Sequence, residues 1–195
     1  MENIKKVLFG KALTVLLIIL FFPSIGFSET KKAYYDSGEL KLEHTYKNGK
    51  KEGPYKTYYE SGKVIDEGNF RKGKLEGLYR KYYESGQLKD EGNFRKGKLE
   101  GPYKTYYESG QLKAEGNYRK NKLEGPYKTY YENGIIELEG NYRKGKKEGL
   151  FKEYDESGGI KIMQKYKDSK LYQLKSIWRT RQADKRGIEE YYIHK

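Results

Sequence analysis

The sequence predicts an all-β chain, an elongated single-layer antiparallel β-meander of solenoid type, built from 24-residue hairpin repeats and closed by an irregular C-terminal capping hairpin. Three observations predict it. The signature Y-Y-[DE]-S-G recurs at Tyr34, Tyr58, Tyr82 and Tyr106, returns at Tyr130 with Asn133 replacing Ser, and decays at Tyr154, each step being 24 residues. No unit has the apolar period of a helix; each holds two runs of seven to nine residues rich in Tyr, Thr, Leu and Phe. Ser-Gly and Lys-Gly pairs separate the runs, and glycine there supplies the positive φ of a tight hairpin turn.

The N-terminal segment stands apart from this pattern. Lys5, Lys6 and Lys11 form a positive n-region, Ala12 to Phe22 an uncharged apolar run, and Pro23 to Ser28 a helix-breaking stretch with small residues Gly26 and Ser28 suited to cleavage. Residues 1–28 are therefore expected to be a secretory signal peptide cleaved near Ser28, which makes the chain exported, periplasmic or extracellular. A retained N-terminal membrane anchor is the minor alternative, because a spanning helix needs about 20 apolar residues and Pro23 interrupts this run after eleven. The chain has no Cys, so neither a disulfide nor a lipid on an N-terminal cysteine is available.

Residues 29–172 form the expected repeat array, with units starting near 29, 53, 77, 101, 125 and 149. The second half of the unit, E-G-N-[FY]-R-K-G-K, appears at Glu67, Glu91 and Glu139, and as EGNYRKNK at Glu115. Pairing across Ser109-Gly110, read as a two-residue turn, sets Tyr107 opposite Leu112, Thr105 opposite Ala114, Tyr103 opposite Gly116 and Gly101 opposite Tyr118. Side chains alternate with period two, so these share one face, while Tyr106 with Lys113 and Lys104 with Glu115 take the other. The same exercise across Lys96-Gly97 sets Phe94 opposite Leu99. The expected sheet has an aromatic-aliphatic face (Tyr103, Tyr107, Leu112, Tyr118, Leu123) and a charged face (Lys104, Glu115, Arg119).

The core G-x-Y-x-x-Y-Y-x-x-G, as in Gly101, Tyr103, Tyr106, Tyr107 and Gly110, followed by E-G-N-Y-x-x-G-K, resembles the bacterial MORN-variant repeat of YwqK-like proteins. The likeness covers about Tyr34 to Lys170. It implies an elongated single-layer antiparallel sheet that serves as a binding or scaffolding module, sometimes at membranes; the antitoxin-like inhibitor role attached to the family suits an exported chain less well. After Lys170 the pattern changes, and residues 173–195 are expected to cap the array as a hairpin of Leu174 to Thr180 and Ile188 to His194, with the single Trp, Trp178.

Nothing in the sequence assembles a catalytic, cofactor or metal constellation, so the chain is expected not to be an enzyme. His44 fills the slot that Gly68, Gly92, Gly116 and Gly140 occupy in later units, and His194 is the penultimate residue. The turn serines have no base in the repeat to activate them. Adjacent Asp66-Glu67 and Asp90-Glu91 point to opposite faces of a strand and cannot act as an acid and base pair.

The organised feature is instead charge, in a chain of net charge +13. Alternate turns of a meander share an edge, so one edge collects Arg71, Lys72, Lys74, Arg95, Lys96, Lys98, Arg119, Lys120, Lys122, Arg143, Lys144 and Lys146, while Asp36, Glu60, Glu84, Glu108 and Glu132 lie on the other. Two partner surfaces follow. The tyrosine face (Tyr55, Tyr59, Tyr79, Tyr83, Tyr103, Tyr107, Tyr127 and Tyr131) suits an envelope or secreted protein, since Tyr is rigid and amphipathic. The basic edge suits an anionic envelope lipid or polysaccharide, and export makes nucleic acid an unlikely partner. The expected function is a non-catalytic protein-binding or scaffolding module of the cell envelope, with peripheral binding of an anionic surface as the alternative.

Overall fold

The computed structural model describes residues 28–179 and 186–192, with side chains described over 28–174. The expected signal peptide, up to Phe27, and His194 lie outside the described residues, as does the connection from Thr180 to Lys185. All described strands belong to one antiparallel sheet: β1 (Ser28–Tyr34), β2 (Leu40–Lys47), β3 (Lys50–Tyr58), β4 (Val64–Arg71), β5 (Lys74–Leu75), β6 (Gly77–Tyr82), β7 (Leu88–Arg95), β8 (Lys98–Tyr106), β9 (Leu112–Arg119), β10 (Lys122–Tyr130), β11 (Ile136–Arg143), β12 (Lys146–Tyr154), β13 (Ile160–Lys167), β14 (Lys170–Arg179) and β15 (Arg186–Tyr192). Spatial order follows chain order without a crossover, apart from the two-residue β5, which pairs only with β4. There is no helix among the described residues, and the fold is the single-layer meander that the repeat predicts.

One layer leaves little interior. Among the described residues the buried hydrophobic side chains are Tyr55, Leu99 and Phe151, the last 1% exposed. What takes the place of a core is a row of rings crossing the strands: Tyr55, Tyr79, Tyr103, Tyr127 and Phe151, one per unit. Tyr55, Tyr103, Tyr127 and Phe151 each pack over a glycine of the neighbouring strand. A Cβ added to Gly68 would stand 2.9 Å from the Tyr55 ring, one on Gly92 2.6 Å from Tyr103, and one on Gly116 2.9 Å from Tyr127. Glycine is needed here for close approach of a neighbouring ring. Second rings then meet the first edge-on, Tyr103 with Tyr118 at 5.5 Å and 75°, Tyr127 with Tyr142 at 5.5 Å and 85°, a geometry worth about 0.5–1.5 kcal/mol beyond area burial.

The two kinds of turn differ. At the Lys-Gly turns both central residues have positive φ, as in Lys96 (52°) and Gly97 (76°), the type I′ geometry of two-residue hairpins. At the Ser-Gly turns the Gly110 amide donates to the Tyr107 carbonyl at 2.9 Å and the Tyr107 amide to the Gln111 carbonyl at 2.8 Å, with Gly110 at φ 89°. The loop is therefore Glu108, Ser109 and Gly110, a three-residue connection with glycine at its left-handed end.

This longer loop corrects part of the expected register. Gly101 with Tyr118, Tyr103 with Gly116, Thr105 with Ala114 and Lys104 with Glu115 pair as expected, and so does Phe94 with Leu99. Beyond Thr105 a bulge intervenes: Tyr106, not Tyr107, pairs with Leu112, and Lys113 is the unpaired extra residue. Cross-strand partners share a face, so Leu112 leaves the aromatic face for that of Tyr106 and Lys104. The same shift recurs between Thr57 and Tyr58, Lys81 and Tyr82, Thr129 and Tyr130, and Glu153 and Tyr154.

Gly116→Ala is expected to cost about 1–3 kcal/mol by overpacking against Tyr127 and to lower the thermal midpoint by several degrees. Asn117→Ala, one residue on and exposed, should stay within about 0.5 kcal/mol of the parent. Thermal unfolding followed by far-UV circular dichroism measures both, and equal midpoints would refute the glycine argument.

Candidate functional site

The second tyrosine of each doublet was expected on a partner face, and the structure gives the hydroxyls of both members a task between units. The first tyrosine of each doublet donates backward to a glutamate of the preceding unit: Tyr58 to Glu43, Tyr82 to Glu67, Tyr106 to Glu91, Tyr130 to Glu115 and Tyr154 to Glu139, all at 2.7–2.8 Å. The second donates forward to a backbone carbonyl of the next unit: Tyr35 to Tyr58, Tyr59 to Tyr82, Tyr83 to Tyr106, Tyr107 to Tyr130 and Tyr131 to Tyr154, at 2.7–3.0 Å. The eight expected face residues thus divide into two rows. Tyr55, Tyr79, Tyr103 and Tyr127 lie in the ring row, whereas Tyr59, Tyr83, Tyr107 and Tyr131 stand at the Ser-Gly turns with their hydroxyls committed.

Titration behaviour follows from these bonds. Burial, then the hydrogen bond to Glu91, pushes the Tyr106 phenol up to about 12, and Tyr58 and Tyr130 match it. The Tyr82 hydroxyl holds the Glu67 carboxyl below its ordinary value against a desolvation that opposes it, with Lys56 at 3.2 Å assisting. Tyr154 and Lys152 do the same for Glu139. These phenols stay protonated as donors.

The opposite edge is built from the Lys-Gly turns. Each turn is tied to the preceding unit through its backbone: the Gly97 amide donates to the Leu75 carbonyl at 2.8 Å and the Lys96 amide to Glu76 Oε2 at 2.7 Å, and the pattern repeats from Lys72 on Glu52 to Lys144 on Glu124. These glutamates of the L-E-G and K-E-G segments were not singled out from the sequence; their fixed place one residue before each unit's glycine was the available signal. They set one carboxylate against three cations in each step of the edge, so the edge stays positive.

All twelve arginines and lysines expected on this edge are exposed, and of these only Lys146 is in an ion pair among the described residues, with Asp168 at 3.6 Å. Arg71, Lys72, Lys74 and Lys96, with Glu76, line a depression of about 450 Å³ between successive turns. Lys72, Lys96, Lys120 and Lys144 all hold φ of 51–52°, a conformation that costs an L-residue other than Gly or Asn about 1–2 kcal/mol. The corresponding turn residue of the first unit is Asn48 and of the last Asp168. The strained lysines therefore mark out the four interior turns, about 30 Å of edge at two strands per unit.

His44, the substituted glycine slot, is 8% exposed and stacks on Tyr55 at 5.2 Å with the planes 6° apart. Burial and then Lys51 hold its pKa below the ordinary 6.5, with Asp66 opposing. Its Nδ1 has no hydrogen-bond partner among the described residues. No group of three or more His, Asp or Glu side chains suited to a metal occurs among the described residues.

The family model described as the MORN repeat variant matches residues 30–48, 51–72, 75–96, 99–120, 123–144 and 147–168. No curated protein matches the chain. Among solved structures, a crystal structure of the GtfA/B complex bound to UDP and GlcNAc matches 58% of this chain and 22% of that one, at 12% identity and a TM-score of 0.24. The chain thus spans under a quarter of that structure's chain.

Because folding keeps His44 neutral more strongly than unfolding does, its contribution to stability is complete above about 6.5 and is lost as pH falls through the lower folded value. The thermal midpoint should decline more between pH 7 and pH 5 in the parent chain than in His44→Gln. Parallel midpoint-against-pH curves would overturn this. Tyr107→Phe, which removes one forward bond, should cost about 0.5–1.5 kcal/mol in denaturant unfolding.

Proposed function

The chain belongs to the MORN repeat variant family, a repeat suited to binding, and we propose that it is an exported, non-catalytic scaffolding module of the cell envelope that docks on an anionic surface through its basic edge. One observation carries the reading. Four consecutive interior turns place lysine in a left-handed conformation that asparagine or glycine would adopt more cheaply, and the side chains so held are exposed and in no ion pair among the described residues. Strain retained at a repeated position points to a task for the side chain. Each step of the edge carries a net charge of about +2 every 10 Å or so, near one Debye length at physiological salt, so neighbouring clusters act together on an extended polyanion.

The non-catalytic reading draws on the doublet phenols and their carboxylates, Tyr82 with Glu67 and Tyr154 with Glu139 among them, being partners in bonds between units. Capture of an envelope protein on the ring row is the second reading. The half-exposed Tyr79, Tyr103 and Tyr127 on an uncovered face favour it.

Binding of the mature chain to anionic vesicles, and separately to an acidic polysaccharide, should fall steeply from 50 to 500 mM salt. Replacing Lys72, Lys96, Lys120 and Lys144 together by Asn should weaken it by on the order of 100-fold or more, at about 1 kcal/mol per basic residue near the surface, while leaving the thermal midpoint unchanged or higher. Salt-insensitive capture of an envelope protein, lost in Tyr103→Ser with Tyr127→Ser, would replace this reading with the second.

A further inference from the structure

The aromatic face is not uniform along the array. At one register position the successive units carry Leu42, Asp66, Asp90, Ala114, Leu138 and Ile162. Ala114 is the smallest, and threonine lies across from it on both sides, Thr105 on β8 and Thr129 on β10. Asp66 and Asp90 each have a lysine, Lys81, across one side, and Leu138 has Glu153. Over Ala114 and Gly116 the structure has a cavity of about 220 Å³ walled by Tyr103, Tyr118 and Tyr127 and reached by Thr105, Thr129 and Glu137.

We propose that this cup binds a single sugar ring. Its volume lies below the ~300–1,000 Å³ of drug-sized sites, which suits one six-membered ring and excludes a nucleotide. Its walls are amphipathic in the way a pyranose is, with tyrosine rings to meet C–H faces and hydroxyl and carboxylate groups to meet hydroxyls. A sugar hydroxyl both donates and accepts. Thr105 makes no side-chain hydrogen bond among the described residues and can do either, while Glu137, which accepts from Thr129 at 3.0 Å, has its second oxygen available. Lys113, whose ammonium lies 5.1 Å from the centroid of the Tyr107 ring, and Glu115 also border the cup, so its lining carries one carboxylate more than it has ammonium groups and favours a neutral ring over an acidic one. The cup opens onto the uncovered face, so the ring can belong to a free sugar or to a longer glycan. The inference does not depend on the basic edge.

Saturation-transfer NMR on the mature chain tests it, with the methyl glycosides of glucose, galactose and 2-acetamido-2-deoxyglucose and a β-linked tetrasaccharide of glucose. At least one of these should receive magnetisation. Tighter binding of the tetrasaccharide than of the glucoside would assign the ring to a glycan chain, and equal binding to a free sugar. Ala114→Leu fills the cup with the side chain that the next unit already carries at Leu138, so the strand accommodates it; it should abolish the transfer with an unchanged circular dichroism spectrum. Thr105→Val, which keeps shape and removes the hydroxyl, should weaken binding by about threefold to tenfold. Absence of transfer to every compound, or transfer undiminished in Ala114→Leu, would overturn the proposal.

Discussion

A sheet one layer thick has nothing to pack its faces against, so its stabilising contacts have to be made within the layer, inside each unit and between neighbouring units. The tyrosine doublet meets that requirement. One hydroxyl reaches back to a carboxylate and the other forward to a carbonyl, so each doublet ties its unit to both neighbours. On the other edge the turn amides do the same work through the Glu52 and Glu76 series. The ring row supplies the apolar part, four of its five aromatics covering a glycine of the adjacent strand, which extends a flat surface into something with depth. Ladder bonds along the strands complete the connection, and no element depends on a distant one.

The same constraint explains the chain's composition. Tyrosine outnumbers phenylalanine 22 to 7 because a ring that packs on one side and remains half in water needs a polar tip, and here the tip also makes the link. At the most enclosed place in the ring row the residue is Phe151, which is 1% exposed between Tyr142 and Tyr166.

The fold class, the strand order and the mid-strand register were legible because the 24-residue period, the alternation of side chains and the glycine slots all specify the same pairing. Tyr103 against Gly116 is the clearest case. The register near the Ser-Gly turns was not legible, since a Ser-Gly pair fits a two-residue turn and also a three-residue loop ending in glycine; only the amide bonds around Tyr107 and Gln111 separate them. The placement of the basic edge was readable from the parity of the turns. The turn-amide glutamates were not, because a carboxylate in a charge-rich segment gives no sign of reaching a backbone amide 20 residues on. The cup over Ala114 was equally hidden, as a small residue in a repeat reads as ordinary drift until its neighbours across the sheet are known.

The side-chain bonds between units span 13 to 23 residues, and that spacing has a kinetic meaning. Contacts of such short sequence separation close small loops, so ordering proceeds quickly and by local steps rather than waiting for the whole chain to collapse. Linear arrays of this kind can nucleate at any unit and extend outward. A chain threaded through a narrow exit, N-terminus first, can complete each hairpin as soon as the following one has emerged, so the length of unfolded polypeptide at any moment stays near a single unit.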